Sequence, residues 1–560
     1  SGGQITQTTV TDPRGNVRVL SFNSSGYVTS DTWASGTSIA QTSTYTRDPS
    51  SNLVTASTDA LSRTTDFGYD AMGNLTSLTL LAGTANAVTT TFTYTANFNE
   101  LATVTDPLNH ITTFGYDGLG NLLTTTNPLG HVIATLTYNG LGLPATVADA
   151  LTNTTTFTYG GGGSGIASDL TAVTDPLSRT VASTYDALGR VVSTTDPLGA
   201  TTTYSYDPMN RVTSVTDALG AVTTMTYDPD GNLTSVTDAR SGLTKYNYDT
   251  MDREISRTDA LGQSESFSYD LDDNLTGHTD RKGQSQARTY DALNRLAQVT
   301  YQKADGSTES TLTYGYDAGN RVTSIVDSLG GTLTESYDGL DRLTSESSPN
   351  GSVSYQYDAA SRRTQMTIAG QTAVSYGYDN ANRLTSITQG SSSVSVAYDN
   401  ANRRTTLTLP NGIQLTYGYD NANELTGLTY TLGSTNVGNL TYAYDNDGRI
   451  ISRGGTFDVT NLPATVTSAV YDADNRLTTW GSQILSYDAD GNLTGDGTNT
   501  YSWNTRNQLT AISGGSTGSF VYDALGRRES KTINGTSTNF LYDGLNLEQE
   551  LNGTTPTVNY

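Results

Sequence analysis

From one residue to the next the chain alternates between small polar side chains and aromatic or aliphatic ones, a period of two. In Thr201-Thr202-Thr203-Tyr204-Ser205-Tyr206 this puts Tyr204 and Tyr206 on one face of an extended strand and Thr203 and Ser205 on the other. The 3.6-residue period of a helix never appears, so the predicted fold class is all-β. Tyrosine doublets recur at Tyr246 and Tyr248, Tyr314 and Tyr316, Tyr355 and Tyr357, Tyr376 and Tyr378, and Tyr417 and Tyr419. Stacked in neighbouring hairpins, they are expected to form aromatic ladders contributing about 0.2 to 1 kcal/mol per cross-strand pair.

Turn signals cut this alternation at a fixed phase. The dipeptide Tyr-Asp recurs at Tyr185, Tyr206, Tyr227, Tyr248, Tyr269 and Tyr290, each step being 21 residues. A second signal lies half a step later: Asp186-Ala187-Leu188-Gly189 is followed by Asp196-Pro197-Leu198-Gly199 before Asp207 opens the next unit. Asp accepts from turn N–H groups, Pro fixes its own φ, and Gly or Asn tolerates the left-handed conformation. Each unit is therefore a β-hairpin, and degenerate copies such as Phe22-Asn23 and Trp503-Asn504 extend the array to roughly 25 units. The structural repeat positions are Tyr185, Asp186 and Arg190; Tyr206, Asp207 and Arg211; Tyr227 and Asp228; Tyr248 and Asp249; Tyr269 and Asp270; and Tyr290, Asp291 and Arg295. The phased arginines are expected to pair with a neighbouring Asp or to sit over a Tyr ring.

Composition narrows the partners. Only 34% of residues are hydrophobic, which suits a thin extended sheet better than a deep globular core. A formal net charge of -25 repels phosphate backbones and anionic lipid, so neither nucleic acid nor membrane insertion is expected. There is no Cys, which removes disulfides and thiolate chemistry. The start, Ser1-Gly2-Gly3, carries no targeting segment and suggests a fragment or processed product.

Stretches such as YDALGRV at Tyr185 to Val191, YDALNRL at Tyr290 to Leu296 and YDADGNLT at Tyr487 to Thr494 resemble the YD-repeat, or Rhs, family. That family includes toxin-complex B and C subunits, bacterial polymorphic toxins and teneurin ectodomains. The resemblance implies a ribbon of β-hairpins coiled into a hollow shell around another polypeptide, in a secreted or cell-surface, bacterial setting. The partners it implies are a polypeptide cargo, such as a toxin, or further shell subunits. The family's core signature, PxxxxDPxGL, has no match: Asp196 to Gly199 reads DPLG, but Ala200 follows. The resemblance therefore carries neither cargo nor autoproteolysis over to this stretch.

No constellation of reactive residues competes with this reading. His110, His131 and His278 share no ligand spacing and read as exposed turn residues. The acidic loops at Asp228, Asp445 and Asp488 lack the complete EF-hand ligand order, so no metal and no cofactor are expected. The sequence is thus read as a non-enzymatic shell or scaffold, with an extracellular adhesive or filament-forming protein that binds glycans or copies of itself as the alternative. Three regions are expected: irregular repeats over 1-165, the regular array over 166-430 and divergent repeats over 431-560. Roughly 50 strands at about 4.8 Å make a ribbon of about 240 Å. A lumen about 35 Å wide, able to take a folded domain of about 100 residues, needs a circumference of about 140 Å. The ribbon is then expected to make fewer than two turns and to stay an open, curved or spiralling segment with exposed edges.

Overall fold

The structure, a computed structural model, describes residues 5–459 and 465–560, so the Ser1-Gly2-Gly3 start lies outside the described residues. Every regular element among them is a strand. The first 41 strands, from Gln7 to Gly454, form one sheet in which each strand pairs antiparallel with the next. A three-stranded sheet over Ala469–Ile484 and a nine-stranded one over Ser486–Asn559 continue the meander. The long sheet does not close into a barrel. Among the described residues no helix is long and apolar enough to cross a membrane.

The hairpins follow from local chemistry. Asp186 N–H donates to Arg190 O at 2.9 Å and Gly189 N–H to Asp186 O at 3.0 Å. Gly189 sits at φ 76°, and the ladder slips by one residue between Thr184 and Tyr185. This is a three-residue hairpin loop, a turn closed by a left-handed residue that forms a bulge. Asn210 and Asn294 take the same slot at φ 65° and 58°, which Asn tolerates better than most side chains.

Register keeps the two faces distinct: Tyr204 lies opposite Val215, and Ser205 opposite Ser214. Along Val222–Tyr227 the positions of Val222, Thr224 and Thr226 are exposed, while Thr223, Met225 and Tyr227 are half-buried. The sheet therefore curls toward its tyrosine face and leaves the Thr and Ser face convex.

Contacts between distant turns show how far it curls. Arg14 Nη1 donates to Asn294 Oδ1 at 2.6 Å across 280 residues, and Arg179 Nη1 to Glu424 at 3.0 Å across 245. Further on, Arg240 meets Asn475 across 235 residues, and Arg506 meets Asp327 across 179. The separations fall from 280 to 179 and then stay between 179 and 190, so the ribbon is a spiral that tightens toward its far end. Arg14's turn docks 25 strands ahead of itself, whereas Asp327's docks only 18 ahead.

Lys282 in turn reaches Asn507, so two windings are complete near that residue and the last hairpins begin a third. This corrects the expectation of fewer than two turns. At about 4.8 Å per strand the circumference falls from about 120 to about 86 Å, tighter than a wall built around a folded domain. The last hairpins tuck against the tyrosine face of the preceding winding: Leu541 and Leu551 share a core with Val353, Tyr355, Met366 and Ile368.

Candidate functional site

Two recurring arrangements organise the molecule, the Tyr-Asp turn and the seam between windings. In the turn, Asp186 Oδ1 accepts from the N–H groups of Leu188 (2.9 Å) and Arg190 (3.1 Å), and Oδ2 accepts from Arg190 Nε (2.7 Å). The guanidinium beside Asp186, with the two backbone donors, holds its carboxyl below the usual carboxylate range. Arg190 then reaches forward, donating to Asp207 O and Asn210 Oδ1 and lying 4.7 Å over the Tyr206 ring. Arg211 repeats the arrangement with Asp207, Asp228 O and Tyr227, and Arg295 with Asp291, Asp317 O and Tyr316. Asp249 pairs with Arg253, which caps Tyr269 at 4.9 Å. At Asp228 and Asp270 an amide replaces the guanidinium: Asn232 and Asn274 each donate to the carboxylate at 3.0 Å.

Each tyrosine closes the unit backwards. Tyr185, Tyr206, Tyr227, Tyr248, Tyr269 and Tyr290 donate their hydroxyls, at 2.7 to 3.0 Å, to the carbonyls of Leu170, Val191, Val212, Leu233, Glu254 and Leu275, all 15 residues earlier. The sequence reading missed this bond, and no local signal announces it. It also expected aromatic ladders. Among the described residues the ring contacts are Phe267–His278, Tyr417–Tyr419, Tyr430–Phe457 and Phe540–Tyr542, none joining the Tyr-Asp tyrosines of successive units. The arginine fills the space where the next ring would stack.

The histidines are not simple exposed turn residues. His110 stands in the arginine slot, with Nδ1 2.9 Å from Asp106, and His278 lies in a strand, 2.9 Å from Glu265 and stacked on Phe267. The three remain in separate units. Asp228, Asp445 and Asp488, which open the calcium-like loops, accept from their own turns' N–H groups.

The seam joins the second kind of turn on one winding to Tyr-Asp turns on the next. Leu61 and Leu81 of the first winding lie over Gly319 and Gly339 of the second, so close that a Cβ on Gly319 would stand 2.6 Å from Leu61 Cδ1. Further along, the seam becomes ionic and buried: Arg506 pairs with Asp327, and Arg527 with both Glu346 and Asp523. A cavity of about 510 Å³ remains where Asp238, Asp259 and Arg281 face Asp474 and Asp490. The Tyr-Asp turns from Asp48 to Arg253 meet no other winding among the described residues, and their tips carry Met72, Leu119, Leu188 and Met209 at 78%, 81%, 70% and 62% exposure. From Asp317 onward the same position holds Gly319, Ala360, Ala381 and Ala401, although Leu293 and Leu340 keep a bulky side chain at turns that Arg14 and Arg63 reach.

The comparisons with known proteins agree with this architecture. The RHS Repeat family model matches residues 47–85, 98–132, 167–201, 185–222, 227–264 and 269–308, and the Teneurin YD-shell model matches 307–437 and 414–551. The comparison with curated proteins returns no match. Among solved structures, a crystal structure of TcdB2-TccC3 matches with a TM-score of 0.70 at 14% identity, covering 96% of this chain and 38% of that one. The Photorhabdus luminescens Tc holotoxin pore matches at 0.52 and 15% identity, over 97% of this chain and 31% of that one. At such identities the likeness is one of fold, and this chain spans about a third of either structure's length. The chain belongs to the YD-repeat, or Rhs, family, with a teneurin YD-shell stretch over its C-terminal part and a fold like that of the TcdB2-TccC3 structure.

Proposed function

We propose that this chain is a non-catalytic wall segment of a larger shell that encloses or presents another polypeptide, such as a toxin, in a secreted or cell-surface, bacterial setting. The observation that carries the reading is the seam: a single meander winds onto itself through register-matched turns, which makes a wall around a lumen. At mid-wall diameters of about 38 to 28 Å and a wall about 10 Å thick, that lumen is about 28 to 18 Å across. A folded domain of about 100 residues, with a radius of gyration of about 13 Å, does not fit, so the polypeptide inside is extended. The half-buried tyrosine face supplies a continuous amphipathic lining for it.

The three regions take different parts in this proposal. Residues 1-165 and the start of 166-430 present the free rim, the rest of 166-430 is seamed wall, and 431-560 narrows the far end. The exposed Met and Leu tips of the rim are where further wall docks, as the chain's own second kind of turn docks on the covered Tyr-Asp turns. The reading is tested by fusing an unstructured polypeptide after Tyr560 and following its proteolysis. Cleavage slower than in the same fusion carrying a seam-breaking Arg506→Ala substitution supports enclosure; equal rates in the two refute it.

A further inference from the structure

At three places along the seam two aspartates face each other. Asp272, third in its Tyr-Asp turn, lies within hydrogen-bonding reach of Asp12; Asp474 stands in the same relation to Asp259, and Asp490 to Asp280. Elsewhere the seam sets a donor against the aspartate: Asn475 donates to Asp238 at 2.9 Å, and Arg506 to Asp327 at 2.6 Å. The acid pairs are exceptions to an otherwise complementary joint.

The surrounding donors leave each pair one bond short. Asp474 Oδ1 accepts from Ala260 N–H at 3.1 Å and Asp490 Oδ1 from Arg281 N–H at 3.0 Å, which fixes both carboxyls against the first winding. Asp259 Oδ1 is taken by the N–H groups of Leu261 and Gln263, and Asp280 Oδ1 by those of Lys282 and Gln284. One oxygen in every pair, Asp272 Oδ2, Asp259 Oδ2 and Asp490 Oδ2, is buried without a well-aligned hydrogen-bond donor, the last two having only the shared cations Arg281 and Lys282 at 3.3 and 3.2 Å. The Asp259 and Asp490 side chains are each only 6% exposed.

Nearby cations do not neutralise both members. Arg281 Nη1 is 3.3 Å from Asp259 Oδ2 but also serves Glu265, which Arg257 and His278 contact as well. Arg476, beside Asp474, is committed to Asp472, and Arg240, beside Asp238, donates to Asn475. Lys282 divides itself between Asp490 at 3.2 Å and Asp488 at 3.1 Å. Arg14 stands 3.5 Å from Asp270, next to Asp272.

We propose that each pair holds a single proton between its two carboxyls and that these protons are a latch: the windings are locked while the protons are bound and loosen as rising pH removes them. The shared proton supplies the donor each pair lacks and removes the repulsion between two ionised carboxylates. Burial first, and the facing carboxylate second, push Asp272 and Asp474 above the ordinary aspartate value, and Asp280 moves the same way. A group raised on winding stabilises the wound state at low pH and loses that contribution as pH rises through its folded value.

Hydrogen exchange of the intact chain at the Ala260 and Arg281 amides, corrected for intrinsic rates, tests the latch. Protection is expected to fall several-fold between pH 4 and pH 7, the side of the ordinary aspartate value toward which burial and the facing carboxylate move these groups. The Leu188 amide, bound to Asp186 in a turn outside the seam, serves as the reference and stays constant. In the Asp474→Asn/Asp490→Asn variant the amide Nδ2 does permanently what the proton does, so protection becomes equal at the two pH values. Asp259→Asn/Asp280→Asn is the companion variant, because Asn127 already opens a turn of this kind. Wild-type protection independent of pH, or variants that lose it by the same factor as wild type, overturns the proposal.

Discussion

Arg506 grips Asp327, one winding before it, through two nitrogens, at 2.6 and 3.0 Å, and the Asp327 side chain is completely enclosed. Arg506 also lies 4.8 Å over the Tyr301 ring, so one side chain ties together the carboxylate and the aromatic face of an earlier winding. Breaking such a pair from one side leaves a buried charge without a partner, at a cost of about 3 to 5 kcal/mol. Arg506→Ala is therefore expected to release the C-terminal hairpins from the wall. Hydrogen exchange over residues 500–560 checks it, with the first winding unchanged.

Glycine at the seam is demanded by close approach. A Cβ on Gly330 would collide with the carbonyl oxygen of Tyr522 in the adjoining winding, and backbone cannot swing aside as a side chain can. Gly330→Ala is expected to lower seam stability by about 1 to 3 kcal/mol. Gly118→Ala, at a turn with open space around it, serves as the control in the same denaturant titration.

Within a winding, damage stays local. Tyr227→Phe removes only the hydroxyl bond to Val212 O, 2.8 Å long, at a cost of about 0.5 to 1.5 kcal/mol. Tyr227→Ala also removes the ring beneath Arg211 and is expected to cost up to about 3 kcal/mol, felt chiefly by the adjoining hairpins. Exchange rates that rise equally along the whole chain would contradict this.

Glu529 gives the narrow end a second pH dependence. Burial, with the charges of Asp523 and Asp327 adding to it, pushes its carboxyl up to about 7 from an ordinary 4.5. Between those two pH values the unfolded chain ionises while the folded chain keeps its proton, so stability falls from about pH 4.5 to about pH 7 and then levels off. Because the group is partly solvated, the effect is about 1 to 2 kcal/mol. Glu529→Gln is expected to flatten that slope and to raise the denaturation midpoint at pH 8.

What could be read from the sequence was what is local. Tyr204 and Tyr206 declare their face through a period of two, and Asp186 and Gly189 declare a turn through an acceptor and a left-handed φ. The seam joins residues 179 to 280 apart, and nothing near Leu61 points to Gly319. One trace of it does lie in the sequence: the third turn position changes from Met72, Leu119, Leu188 and Met209 to Gly319, Ala360, Ala381 and Ala401. A small tip admits close contact, as at Gly319 beneath Leu61, while Leu293 and Leu340 stand at turns that another winding also reaches. The arginine between successive tyrosines was legible as a partner but not as a spacer, because its reach forward depends on a register that the hairpin loops set.

The central claim is that one ribbon winds onto itself, and the absence of cysteine makes it directly testable. In the Leu61→Cys/Gly319→Cys variant, two thiols are placed on facing turns of successive windings. Mild oxidation of the dilute monomer followed by peptide mass spectrometry is expected to find an intramolecular disulfide joining the two. An oxidised protein in which these thiols stay free, or link only between molecules, would contradict the spiral wall.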